Sequence, residues 1–284
     1  LQSGEIPKIH LKNVFLRIQS KITKLMQTCK LFIFLLLLFT LACKNQSAEQ
    51  QAATPLRFEE RTFTKQSSTC GGADSTRCAT IKVTYPMATQ GTPEVIKAIN
   101  DSILHYVTLT LASGDGESPP PTTVEEGANG FIEMYEEYIK GDSVYITPWE
   151  LQTNGKVLYQ SPQHITVEIG SYSYLGGAHP SSYVNLYTFD ANTGKRLTLT
   201  DMVSDTAKLR QLAEVKFRQT RELKADENLN QAGYFWDGPF ALPANLAMTQ
   251  QGLYLVYNPY EAAAYALGPT EFVLTNEELK GILK

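Results

Sequence analysis

Residues 31–42 read LFIFLLLLFTLA, twelve positions of which only Thr40 is polar. A helix that crosses a membrane needs about twenty such residues in a row, so this run is too short to span and has the length of a signal-peptide core. No other feature limits the fold as much, because it takes residues 1–42 out of the folded body as a signal region and sends the rest through a membrane. Met26-Gln27-Thr28-Cys29-Lys30, just in front, is a short basic leader, and Met26 reads as the natural start. Residues 1–25 carry Lys8, Lys12, Arg17, Lys21 and Lys24, and are then upstream sequence or an extension of that leader.

The small residue Ala42 precedes Cys43, and Thr40-Leu41-Ala42-Cys43 resembles a bacterial lipobox. A small side chain there lets the chain enter a lipoprotein signal peptidase, and the thiol of Cys43 receives a diacylglycerol before cleavage. Leucine is usual three places before the cysteine, where this chain has Thr40. The expectation is lipidation of Cys43, with the membrane as a partner through that anchor and the body on the periplasmic or extracellular face. An uncleaved anchor, or an ordinary signal with an incidental cysteine, are the competing readings. Residues 43–56 form the tether, since Lys44 to Thr54 is polar and lacks an aromatic residue.

Leaving out residues 1–42 removes six of the 25 Lys and Arg and, with Glu5, one of the 29 Asp and Glu. What remains has 19 positive and 28 negative groups, a charge near −9. Such a balance argues against nucleic acid, whose phosphates require a basic face, and it attracts cationic partners over long range. Plain solubility accounts for it without any partner.

Cys29 falls in the leader, so beyond Cys43 only Cys70 and Cys78 remain. They flank a polar, glycine-containing loop between two strand-like stretches, and an exported chain places them in an oxidising compartment. A disulfide is expected, contributing roughly 2–3 kcal/mol for so short a loop. No further metal-type ligands lie nearby in the sequence.

Hydrophobic residues make up 43% of the chain, enough for a buried core. Arg57 to Thr64 and Ala79 to Tyr85 alternate as strands. Pro93 opens a helix to about Ala112, with Val95, Ile96, Ile99, Ile103, Tyr106 and Val107 at helical spacing. Ser113 to Thr123, with Pro119-Pro120-Pro121, is a loop, and a second helix runs from about Val124 to Lys140. From Ser143 the period becomes two. Val144 to Gln152 and Val157 to Gln160 are expected to form a hairpin turned by Asn154-Gly155, since both residues tolerate positive φ. His164 to Tyr174 and Ser181 to Phe189 are strands, followed by a turn at Asn192-Thr193-Gly194 into Arg196 to Leu199. A helix from Ser204 to about Lys224, strands at Leu253 to Tyr257 and Glu271 to Leu274, and a closing helix over Asn276 to Leu283 complete the chain. Strands and helices fall in blocks, which predicts an α+β fold of two small domains, each an antiparallel sheet packed with helices.

The N-terminal block, a Cys-containing extended segment leading to Ile81-Lys82-Val83-Thr84-Tyr85-Pro86 and a helix, is similar to the accessory domain of PdaC-type peptidoglycan deacetylases. Three later segments resemble the RsiV-like C-terminal domain: Tyr172-Ser173-Tyr174-Leu175-Gly176-Gly177-Ala178-His179-Pro180, Thr188-Phe189-Asp190 with Thr193-Gly194-Lys195, and Tyr257-Asn258-Pro259-Tyr260-Glu261 continuing to Tyr265-Ala266-Leu267-Gly268-Pro269. The resemblance covers about residues 57–284 and implies an N-terminal domain over 57–160 and a C-terminal one over 161–284. In those families such a pair lies outside the cell, attached to a lysozyme-sensing anti-sigma factor or to a deacetylase, and many members are lipoproteins. Two departures matter: Thr188-Phe189-Asp190 continues as Ala191-Asn192 and lacks the rest of the metal-binding Thr-Phe-Asp-Asp-Gly motif, and no cytoplasmic sigma-binding segment is present.

Two constellations could bind a ligand. Tyr174 and the loop Gly176-Gly177-Ala178-His179-Pro180 join two strands, and the glycines permit a close backbone approach beside His179, which can donate, accept or titrate near neutral pH. A tight strand connection is the alternative. Tyr254, Tyr257, Tyr260 and Tyr265 surround Glu261, offering flat apolar faces with polar tips that could stack on a sugar or anchor a protein, or else form an aromatic corner of the fold. Asp226, Asn228, Asn230 and Asp237 imitate a calcium loop but place Gln231 where glycine is needed. Glu133, Glu136 and Glu137 read as a solvated helix face. No catalytic residue, metal site or cofactor is implied. The reading is a non-catalytic envelope lipoprotein that binds peptidoglycan glycan or a lysozyme-like cationic protein; the alternative is a wall-acting enzyme using carboxylates and His179.

Overall fold

The computed structural model describes residues 55–72, 74, 76–112, 119–141 and 146–284, all within the compact unit Ala53–Lys284. Cys43, the rest of the leader and most of the tether lie outside the described residues. Eight strands are described, β1 (Arg57–Gln66), β2 (Ala79–Gln90), β3 (Trp149–Gln160), β4 (His164–Tyr174), β5 (Ser181–Asp190), β6 (Asn245–Met248), β7 (Gly252–Tyr257) and β8 (Thr270–Thr275). The helices are α1 (Pro93–Leu109), α2 (Val124–Tyr138), the short α3 (Leu199–Met202) and α4 (Thr206–Thr220). The molecule is an α+β fold with two sheets, one of five strands in the order β1-β2-β3-β4-β5 and one of three in the order β6-β7-β8.

One pairing departs from the expected antiparallel sheets. β2 and β3 run parallel, Ala79 opposite Trp149 through Thr84 opposite Asn154, and α1 and α2 form the crossover between them. A parallel pair requires such a long connection, which is why the helical block falls between these two strands. In α1, Val95, Ile99, Ile103 and Val107 repeat every four residues and are buried. At the start of α2 the Thr123 hydroxyl accepts the Glu126 N–H, and the Glu126 carboxylate reaches back to the Thr122 N–H and hydroxyl, which holds that carboxyl below its usual pKa range. Both helices cover one face of the sheet, where Ile81, Val83, Ile165, Val167 and Ile169 meet Phe131 and Tyr135.

Asn154-Gly155 does not turn. It lies inside the continuous strand β3. A Cβ on Gly155 would stand 3.0 Å from Pro86 Cδ and 3.1 Å from the Tyr85 Cα, so the glycine serves close approach to β2, and Thr84 donates to the Asn154 side-chain oxygen at 3.1 Å. The boundary expected at 160/161 falls in the β3–β4 turn, inside the five-stranded sheet. The hydrophobic clusters divide later, one running from Leu56 to Phe189 and another from Met202 to Ile282, because β4 and β5 complete the first sheet.

The second cluster centres on Phe217 of α4, whose ring meets those of Tyr234, Phe235, Phe240 and Tyr257. Residues 276–283 form successive turns rather than the expected helix: the Ile282 carbonyl accepts from Ser204 N–H and the Lys284 N–H donates to Met202, so the chain end pairs with the residues after α3. Arg196 to Leu199 contributes a single bridge, Arg196 to Phe189, before α3 begins. Cys70 and Cys78 are joined by a disulfide, as expected.

Candidate functional site

Along the helix-covered face of β4 the side chains run Ile165, Val167, Ile169, Ser171, Ser173. The first three are fully buried under α1 and α2, and the serines mark where that cover ends. Beside them β5 presents Tyr183, Asn185 and Tyr187, since Ser171 pairs with Tyr183 and Val167 with Tyr187. The C-terminal end of α1 and the middle of α2 wall this floor, leaving a groove of about 530 Å³ lined by Tyr106, Leu109, Phe131, Met134, Leu175 and Tyr187 among others. That size suits a small ligand. Leu109, Met134, Leu175 and Tyr183 are each 41–48% exposed, four large apolar side chains left open around one depression.

The far wall is organised. The rings of Tyr106 and Tyr187 stack with centroids 3.7 Å apart and 9° between planes. The Arg196 guanidinium carbon lies 5.3 and 5.0 Å from the two centroids, and its Nη1 donates to the Tyr106 hydroxyl at 3.0 Å. Burial, with Tyr106 alongside, pushes the Tyr187 phenol up to about 12 against the opposing pull of Arg196. The floor adds hydroxyl and amide groups, and the groove is lined by no Asp, Glu, His, Lys or Arg side chain among the described residues.

The residues singled out from the sequence separate into two groups. His179, Tyr260 and Tyr265 come together: the His179 ring stacks on Tyr265 at 3.9 Å and 16°, Tyr260 OH lies 3.4 Å from His179 Nε2, and His179 Nδ1 lies 2.8 Å from the Pro180 carbonyl. Tyr260 holds a left-handed φ of 68°. Tyr257 and Glu261 belong to the framework instead. Tyr257 is buried, donates to the Ala241 carbonyl at 2.7 Å, and has its phenol pKa pushed up by burial. Glu261 accepts the N–H groups of Ala244 (2.6 Å) and Asn258 (2.9 Å). Gly176, at φ 79°, packs where a Cβ would meet Thr147 Oγ1 at 2.1 Å; Gly177 follows in the exposed connection. Tyr174 points to the opposite face of the sheet from the groove, by strand alternation.

Three further roles were not legible in advance. Glu136, placed on a solvated face, accepts from the Ser68 N–H and hydroxyl, which holds its carboxyl below the usual range. Asn228 and Asn230 bond neighbouring backbone groups, and among the described residues no cluster of three metal-type ligands occurs. Arg221 fastens the loop carrying Tyr265, donating to the carbonyls of Leu267, Gly268 and Pro269 and to the Thr270 hydroxyl.

Fold and site together define a two-sheet α+β body with an open, tyrosine-lined groove. Residues 73–182 match the family described as Deacetylase PdaC, and residues 199–277 match the family described as Protein of unknown function (DUF3298). The chain therefore carries a PdaC-like domain followed by a DUF3298 domain, in the order the resemblance implied. It is 24% identical over 144 residues to the Peptidoglycan-N-acetylmuramic acid deacetylase PdaC of Bacillus subtilis, an alignment covering 48% of this chain and 29% of that protein. Among solved structures, a DUF3298 family member from Bacteroides fragilis is similar with a TM-score of 0.65 at 19% identity, over 81% of this chain and 94% of the other. A DUF3298 family protein from Pseudomonas aeruginosa gives 0.62 at 19% identity, over 81% and 95%. At that identity the likeness establishes the fold.

Proposed function

We propose that this chain is a non-catalytic cell-envelope protein, held at the membrane by a lipid on Cys43, whose groove binds the glycan strand of peptidoglycan. The groove carries this reading. Tyrosine faces and apolar walls above a floor of Ser171, Ser173 and Asn185 suit sugar rings, which present apolar faces and hydroxyl edges, and among the described residues the lining holds no acid–base pair to cleave them. The relative named as acting on peptidoglycan supports the substrate class, and among the described residues no helix is long and apolar enough to cross a membrane. Calorimetry with peptide-free glycan fragments at low salt tests it: saturable heat that is lost on Tyr187→Ala is expected, and absence of binding overturns it. Release of acetate or of reducing ends from wall material by the purified chain would favour an enzyme, with His179 and nearby carboxylates the first residues to vary.

A second reading is binding of a cationic, lysozyme-like protein, favoured by the charge near −9 of residues 43–284. Salt separates the two, because a complex steered by the many charges of a cationic protein weakens steeply between low and physiological ionic strength, while a glycan held by ring contacts and at most a few carboxylates weakens far less.

A further inference from the structure

Arg196 is an exposed cation in an acidic body, yet no carboxylate stands within ion-pair distance of it among the described residues. Arg61, Arg77 and Arg218, by contrast, each pair with an acid. What positions Arg196 is aromatic: its bond to the Tyr106 hydroxyl and the flanking Tyr106 and Tyr187 rings, both of which line the groove. The chain enters this position from β5 through Asp190, whose carboxylate accepts the N–H groups of Asn192 and Thr193, so the turn that presents Arg196 is itself fixed. Tyr183, Asn185, Tyr187 and Arg196 lie between the two family matches, which end at 182 and resume at 199.

We propose that Arg196 is the anion-recognising end of the groove and that the ligand is a glycan bearing a carboxylate. This rests on the groove reading above. A guanidinium presents donors in a planar fork that matches a carboxylate in two parallel hydrogen bonds. Held beside two rings, it loses little freedom on binding, which favours affinity. The lining carries no cation among the described residues, so Arg196, in contact with the lining rings of Tyr106 and Tyr187, is the counter-charge this wall offers a ligand carboxylate. Two sources share this chemistry, the lactyl carboxylate of a muramic-acid residue and the carboxylates of an attached stem peptide.

The test is calorimetry on the delipidated chain with four probes: a peptide-free tetrasaccharide of alternating N-acetylglucosamine and N-acetylmuramic acid, the same tetrasaccharide with its carboxylates converted to amides, chitotetraose, and a peptide-bearing muropeptide. The wild-type chain is expected to bind a carboxylate probe at least tenfold more tightly than the amide probe, about 1.4 kcal/mol. In Arg196→Gln that ratio collapses to within twofold of one, whereas Lys208→Gln, an exposed cation on α4, keeps it. Tyr106→Phe, which removes only the hydroxyl that holds the guanidinium, lowers the ratio in part and serves should Arg196→Gln fold poorly. A preference seen with the tetrasaccharide assigns the lactyl group, and one seen only with the muropeptide assigns the stem peptide. Equal binding of carboxylate and amide probes by the wild type, or a preference that survives in both variants, overturns the role of Arg196 and leaves the groove reading standing. Failure of all four probes to bind removes the groove reading itself.

Discussion

Two aromatic regions of this molecule look alike in composition and do opposite things. In the corner formed by residues 257–265, Tyr257 is sealed in the second core and Glu261 is tied to two backbone amides, so the tyrosine-rich segment mostly builds its own bend. In the groove, Tyr106, Tyr183 and Tyr187 come from a helix and a strand far apart in the chain and leave their faces at an open surface. Density of tyrosine along a segment therefore says little about binding. What distinguishes the regions is whether a ring is sealed in a core, as Tyr257 is, or lines an open depression, as Tyr106, Tyr183 and Tyr187 do.

The sharpest way to break this contrast is to empty the corner. Phe217→Ala removes the ring that four other aromatics surround, and it should destabilise the chain by about 3–5 kcal/mol in denaturant unfolding while any protein that remains folded keeps its groove. Reducing Cys70–Cys78 should lower stability by about 2–3 kcal/mol through the loosened unfolded chain, an effect on the first sheet that leaves the corner untouched. Glu261→Ala should lower the unfolding free energy by about 2 kcal/mol, because the Ala244 and Asn258 N–H groups lose a charged acceptor, with glycan binding unchanged. If binding vanished instead, the corner would be the site. Tyr187→Ala should do the reverse, weakening glycan binding at least tenfold, or about 1.4 kcal/mol.

The smallest effect is one of pH. With the Tyr187 phenol raised from 10.0 to about 12, folding favours its neutral form; that contribution is complete below pH 10 and is lost as pH climbs towards 12. Spectrophotometric titration should show a late phenolate near pH 12 that is absent from Tyr187→Phe. Its appearance near pH 10 would mean that the stack with Tyr106 is open in solution.

Much of the fold could be read in advance because its signals are local. The four-residue repeat in α1 and the alternation in β4 and β5 gave those elements nearly to the residue. Asn154-Gly155 misled, since its turn propensity is overruled by a partner strand 70 residues earlier whose backbone needs the missing Cβ. The parallel β2–β3 pair and the shared five-stranded sheet escaped for the same reason: pairing between distant strands leaves no periodic trace. The candidate groove was not legible: none of the residues singled out from the sequence lines it. His179, Tyr260 and Tyr265 do meet, although the groove itself was not seen, because Tyr106 sat on a helix face that read as core and Arg196 contacts it across 90 positions. A trace did exist in β4, where isoleucine and valine give way to serine on one face.

The outer edge of β5 is closed by amide side chains. Asn258 both donates to and accepts from the backbone of Val184, Asn245 accepts the Leu186 N–H, and beyond them the Leu197 N–H donates to the Thr188 carbonyl. These are the groups an incoming strand would use, so a neighbouring copy finds no template for strand addition there. The opposite edge belongs to β1, where Glu59, Glu60 and Arg61 stand exposed in succession, a pattern that discourages edge-to-edge aggregation. Both edges of the sheet are thus closed to a second copy, and crowding leaves it solitary.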